Sequence, residues 1–385
     1  EAASSTGGQI MPPIMGAAAF LMIEFAGVPY WEIAKAATIP AILYFSGIWI
    51  MTHLEAKKQG LHGLPKEEIP KKMEVLKKIH LLLPIIVIVV LLFQGFSIER
   101  TALLGILSTI IVSLFRKDTR ITPAKFILAL TNGARTALGV AAATACAGII
   151  VGVVTKTGLG LKLGNSLVSM AAAITSTPTL LLLLTLFFTM IASIILGMGS
   201  PTTANYIITS TIALPAILAL NNQLEVAIPV LAAHMFVFYF GIVADITPPV
   251  ALAAFAATGI SKGEPIRTGI NASKLAIAAF IIPYMFVFQP QLLMIDTTIP
   301  EVSWILVTSI IGMISIGAGL IGFWYRKLHW IERILTVSTG LLLIYPEANT
   351  DIFGFIAFGI MLALQIFWKR GNTGKGAGKA AGEVN

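Results

Sequence analysis

Ala244-Asp245-Ile246-Thr247-Pro248-Pro249, continuing apolar from Val250 to Phe255, has a counterpart about 236 residues earlier in the chain. The counterpart reads Ser5-Thr6-Gly7-Gly8-Gln9-Ile10-Met11-Pro12-Pro13 and runs on from Ile14 to Phe20. Superposing the Pro-Pro pairs sets Gln9 against Asp245, and Ala17 and Ala18 against Ala253 and Ala254. Gly27-x-Pro29 then falls on Gly263-x-Pro265, and the next apolar segments carry Ile39-Pro40 and Ile282-Pro283. Both stretches are apolar enough for a bilayer, yet helix breakers and polar groups interrupt them. Two divergent copies of one membrane unit, each with a helix broken at depth, are the construction of secondary transporters.

Composition agrees. Of 385 residues, 57% are hydrophobic and 11% charged, against about 25% charged in soluble domains. Several uninterrupted apolar runs reach the roughly 20 residues that cross a bilayer as a helix. The expected class is an all-α polytopic membrane protein with inverted repeats, broken helices and a re-entrant hairpin. The net charge of +8 does not indicate nucleic-acid binding, because the lysines cluster between apolar segments and in the tail, a positive-inside pattern. One cysteine, Cys146, excludes an intramolecular disulfide and a cysteine-based zinc cage; it and the methionines read as packing. The chain opens at Glu1 without Met or a signal-like segment, and reads as starting inside a membrane domain.

Residues 1–53 read as the end of a first inverted repeat. Residues 54–79 form a cytoplasmic loop with seven lysines and four glutamates. Connecting transmembrane helices fill 80–131, with Arg116, Lys117 and Arg120 on the face of the lysine loop. The second inverted repeat occupies 132–290, with a hairpin of apolar arms at 178–197 and 203–220. C-terminal transmembrane helices take 291–370, and a Gly/Lys/Ala-rich tail at 371–385 is expected to be disordered. Counting spans puts these basic clusters on one side, so the two broken helices run in opposite directions; Lys156 and Lys162 are exceptions.

Gly197-Met198-Gly199-Ser200-Pro201-Thr202-Thr203-Ala204-Asn205 interrupts the hairpin. Non-helical backbone at membrane depth survives only where protein or a wet cavity satisfies it. Ser200 and Pro201 suit an N-cap and first helical position, and a helix start favours an anion. The carbonyls of Gly197 to Gly199 suit Na⁺. Thr247 is expected to cap a half-helix starting at Pro248, and Asp245, a carboxylate in a membrane segment, marks an ion or substrate path. Gly7-Gly8 allows unwinding beside Ser5, Thr6 and Gln9. His234 and Tyr239 read as packed, hydrogen-bonded residues. The geometric expectation is that the breaks meet, with Ser200, Thr202, Thr203 and Asn205 facing a cavity that also receives Asp245, Thr247 and Ser5–Gln9.

These three motifs, in this order, resemble the large permease component of TRAP (tripartite ATP-independent periplasmic) transporters, nearest the TAXI-associated fused permeases, over about residues 1–290. Residues 300–370 are similar to the extra C-terminal helices of that subgroup. The resemblance implies an elevator-type ion transporter fold and a Na⁺-driven importer in the bacterial inner (cytoplasmic) membrane. It would carry organic acids, such as dicarboxylates or glutamate-like solutes, delivered by a periplasmic TAXI-type solute-binding protein. A small membrane subunit, fused in a part of the protein before Glu1, is also implied, and with it a first hairpin; the fragment alone is expected not to transport. Na⁺ is the coupling ion, without another cofactor. Carried over by motif, the sodium ligands fall on Ser5, Thr6, Gly7, Gly8, Gly197, Gly199, Asp245 and Thr247. The substrate-binding set is Ser200, Thr202, Thr203, Asn205, Thr247 and Gln9. The residues leave two other readings open. One is an intramembrane protease, for which Pro201 removes a likely oxyanion donor after Ser200. The other is a passive channel. No Gly-x₄-Gly-Lys-[Ser/Thr] motif is present, so this chain is not expected to hydrolyse ATP.

Overall fold

The computed structural model describes residues 1–385 except 66, 70–71, 77, 116–118, 225–227, 346–347 and 377–385. The basic residues Arg116 and Lys117 lie outside the described residues. The described chain is helical, with no strand beyond one bridge between Phe323 and Lys327.

The first broken unit is α1 (Ala2–Gly7) and α2 (Ala17–Ala26), followed by α3 (Tyr30–Gln59). A short α4 (Lys72–Leu76), then α5 (Leu83–Phe93) and α6 (Ile98–Ser113), lead to α7 (Pro123–Thr157) and α8 (Leu159–Ala172). The hairpin is α9 (Pro178–Gly197) against α10 (Thr202–Ile212) and α11 (Leu214–Leu224). The second broken unit is α12 (Val230–Val243) and α13 (Leu252–Ser261), followed by α14 (Pro265–Leu275) and α15 (Ile277–Phe288). Three C-terminal helices close the chain: α16 (Ile299–Ile321), α17 (Trp330–Ile344) and α18 (Ala348–Gly376).

Six helical segments are long and apolar enough to cross a membrane, and α14 with α15, bent by 40°, makes a seventh if it counts as one span. The protein is therefore an all-α, multi-pass membrane protein. α12 explains why the core sits where it does. It is apolar on every face, and every residue from Ala232 to Val243 is buried; a helix of that kind belongs at the centre of its bundle. Phe236, Tyr239 and Phe240 pack there with Phe286 and Tyr284 of α15, and Phe238 with Tyr206 of α10. α7 is the opposite case: of its 35 residues only Ala147 and Val154 are buried. Cys146 is exposed on it, so its expected packing role is not what the fold uses it for.

The sequence offset persists in the backbone. Each broken unit leaves its first helix through a turn, passes its Pro-Pro pair, and reaches a left-handed residue just before its second helix, Met15 (φ 57°) in one and Ala251 (φ 42°) in the other. The second helices are ten residues each, and both end on a left-handed residue, Gly27 (φ 69°) and Lys262 (φ 56°). The units interlock: α1 packs on α13 and α14, while α2 packs on α10 and α12. Neither Pro-Pro pair lies inside a helix.

Several expected boundaries move. α3 continues into the lysine loop to Gln59, and α4 forms inside it. α8 adds a helix between α7 and the hairpin, inside the expected second repeat. α18 runs to Gly376, into the stretch expected to be the tail; 377–385 lie outside the described residues.

The C-terminal helices dock through glycine. α16 lies against both α3 and α17. A Cβ on Gly340 would sit 2.5 Å from the Gly312 carbonyl oxygen, and one on Gly319 would sit 2.8 Å from that of Arg333. Small residues let membrane helices approach this closely. Gly340→Val is therefore expected to destabilise by about 1–3 kcal/mol through overpacking, read as a lower melting temperature in detergent. Gly359→Ala, with open space around it, should melt as the parent does.

Candidate functional site

At the hairpin tip the chain reverses within four residues. α9 ends at Gly197, Gly199 takes a left-handed φ of 78° that glycine adopts without steric cost, and the Ser200 N–H donates to the Gly197 carbonyl at 3.3 Å. Pro201 (φ −58°, ψ 147°) holds the cap position and α10 begins at Thr202. This corrects the sequence expectation, in which Ser200 caps a helix starting at Pro201. Proline fixes φ and has no N–H, so it delimits the helix one residue later and leaves the Ser200 hydroxyl out of the cap.

The second break differs from expectation in the same way. α13 starts at Leu252, not at Pro248, because Ala251 must first pass through the left-handed region. Thr247 does not cap it; its hydroxyl donates backward to the Val243 carbonyl at 2.8 Å. The break is tied across instead by the Ala253 N–H donating to the Asp245 carbonyl at 2.9 Å, as the Gly16 N–H donates to the Gln9 carbonyl at 2.8 Å in the first break.

The tip and the two breaks meet at an open cleft of ≈ 510 Å³ lined by Gln9, Gly16, Ala17, Ser200, Pro201, Thr202, Thr203, Asp245, Leu252 and Ala253. Five of the sequence-predicted residues are thus brought together: Gln9, Ser200, Thr202, Thr203 and Asp245. Three helices begin on this cleft, α2 at Ala17, α10 at Thr202 and α13 at Leu252. Each contributes unpaired N–H groups and the positive end of a helix dipole. Asp245 supplies a partly buried carboxylate, with the Thr202 side chain in hydrogen-bonding reach of it. The Gln9 Oε1 is buried and unpartnered. Gly16, Ala17, Leu252 and Ala253 also line it, and residue chemistry carries no signal for that; the helix-start pattern after each Pro-Pro pair does.

Other predicted residues go elsewhere. Asn205 is fully buried and turned away from the cleft; its amide donates to the carbonyls of Gly197 (3.3 Å) and Gly241, tying the hairpin tip to α12. Gly197 is closed over by that amide, so a Cβ there would collide with it, and its carbonyl is already engaged. Gly199 is exposed beside Val250. Ser5, Thr6 and Gly7 are helical in α1, and the helix stops at Gly8, which keeps a right-handed φ of −58° as the chain enters the break. Gly7 is small because the ring of Tyr44 lies against it, with the Tyr44 hydroxyl donating to the Ala3 carbonyl at 2.6 Å. His234 is buried with its Nδ1 on the Tyr206 hydroxyl at 2.8 Å, not on Ser200. Among the described residues no three His, Cys, Asp or Glu side chains gather to hold a metal ion, so a cation here would draw on carbonyl and hydroxyl oxygens beside Asp245.

No curated protein matches the chain. A family model described as the DctM component of the tripartite ATP-independent periplasmic transporter matches residues 1–302.

Proposed function

Because the chain belongs to the DctM family, the permease component of tripartite ATP-independent periplasmic transporters, we propose that the cleft at its helix breaks is where sodium drives the uptake of organic anions. The observation that carries this reading is the convergence of three helix N-termini and one carboxylate on a single cleft. Helix starts favour the carboxylate of a substrate. Asp245, with the hydroxyls of Ser200, Thr202 and Thr203, offers oxygen to a hard cation, the arrangement secondary transporters use for coupling ions.

In this reading a periplasmic solute-binding protein of TAXI type hands over the organic acid at the inner membrane, and a small membrane subunit supports the moving unit. The sodium gradient supplies the work. A protease reading loses support, since His234 is committed to Tyr206, away from the hairpin serine.

Uptake of radiolabelled glutamate and of a four-carbon dicarboxylate, by the intact transporter in proteoliposomes with its purified receptor, tests the proposal. At equal membrane potential, uptake is expected only with an inward sodium gradient. Uptake indifferent to sodium would remove the coupling proposal, whichever acid is carried.

A further inference from the structure

Two adjoining cavities, ≈ 610 and ≈ 400 Å³, share Phe280 and Tyr284 and form one groove along α15. One wall is the hairpin arm α9, through Leu183 and Phe187, and the far end is closed by Leu341 of α17 and by Tyr345, which caps that helix. The lining of the larger cavity is almost wholly apolar side chains. The groove follows α15, whose 12 residues span about 18 Å, close to one leaflet of a hydrocarbon core about 30 Å thick.

One end of the groove is charged. Lys274 lines the smaller cavity, and its neighbours in electrostatic reach are Lys58, Arg333 and the single carboxylate Glu55. Lys58 is paired with Glu55 at 3.4 Å and also donates to the Ile321 carbonyl at 3.0 Å. Arg333 donates to the carbonyls of Gly319 and Leu320 at the end of α16. Among the described residues the Lys274 ammonium has no hydrogen-bond partner. An apolar trough one leaflet long, with an unpaired ammonium inside a net positive cluster at its mouth, matches an anionic phospholipid with its chains in the groove and its phosphate at Lys274.

We propose that this groove is a specific site for an anionic phospholipid, seated between the hairpin arm and the C-terminal helices. Its closing wall, α17, lies outside residues 1–302 matched by the family, whereas α9, α15 and Lys274 lie within them.

The test is native mass spectrometry of the intact transporter, delipidated in mild detergent and titrated with phosphatidylglycerol or phosphatidylcholine. One phosphatidylglycerol is expected to bind about tenfold more tightly than phosphatidylcholine. Lys274→Gln should remove most of that preference, and Leu341→Trp, at an exposed position, should fill the groove and abolish binding of both lipids. Equal binding of the two lipids by the parent protein would overturn the proposal, as would binding untouched by Leu341→Trp. A lipid-free dimer that Leu341→Trp dissociates would assign the groove to a second copy of the chain instead.

Discussion

Asp245→Asn is expected to reduce sodium-driven uptake about a hundredfold while the protein inserts like the parent and, in sodium-free buffer, melts like it. Asparagine keeps the shape of the side chain and removes its charge. Taking one partner from a partly buried charge pair costs about 3 kcal/mol, and every 1.4 kcal/mol or so is tenfold. The substrate anion relies on the starts of α2, α10 and α13, which the substitution leaves in place. The sodium concentration for half-maximal uptake should therefore rise far more than the KM for the organic acid. Proteoliposome uptake as a function of sodium, with Asp245→Glu as the charge-retaining comparison, separates the two. An Asp245→Asn protein with the parent's sodium dependence would make Asp245 structural.

Asn205→Leu is expected to be the most damaging single change at the hairpin, through stability and not through recognition. Leucine fits the volume but orphans the carbonyls of Gly197 and Gly241. Each buried carbonyl left without a donor costs about 1–3 kcal/mol, softened for Gly197 by the Ser200 N–H. A melting temperature lower by several degrees should accompany faster proteolysis at the tip. Gly197→Ala attacks the same latch from the other side and should behave alike. Should Asn205→Leu melt normally yet alter which acid is carried, Asn205 would be a substrate ligand after all.

Much of the fold was legible because membrane physics leaves few options. The apolar arm 178–197 coincides with α9, since a proline start and a glycine stop bracket one continuous run. The repeat was legible from its breakers: the Pro-Pro pairs fix where helices cannot continue, and their offset recurs in the left-handed residues Met15 and Ala251. What followed the breakers was not legible. Capping rules place helix starts at Pro201 and Pro248, but the turns between break and helix use three-dimensional hydrogen bonds, Gly16 to Gln9 and Ala253 to Asp245, that no local rule contains. Polarity likewise located the site without orienting its residues. Thr202 and Asn205 both look like ligands in sequence, yet the first lines the cleft while the second is buried, its amide taken by the carbonyls of Gly197 and Gly241. Gly7 looked like a hinge and is a contact for Tyr44, because a glycine that makes room and a glycine that bends read alike.

The most direct measurement of the central claim, that the cleft around Asp245 binds sodium, is thermal unfolding of the purified protein as NaCl replaces choline chloride at constant ionic strength. An ion that binds only the folded state stabilises it by RT ln(1 + [L]/Kd). The melting temperature of the parent should rise with sodium and saturate, Asp245→Asn should show no rise, and Thr202→Val a weaker one. A parent protein that melts at the same temperature in sodium and choline, or an Asp245→Asn protein stabilised by sodium as strongly as the parent, would contradict the account.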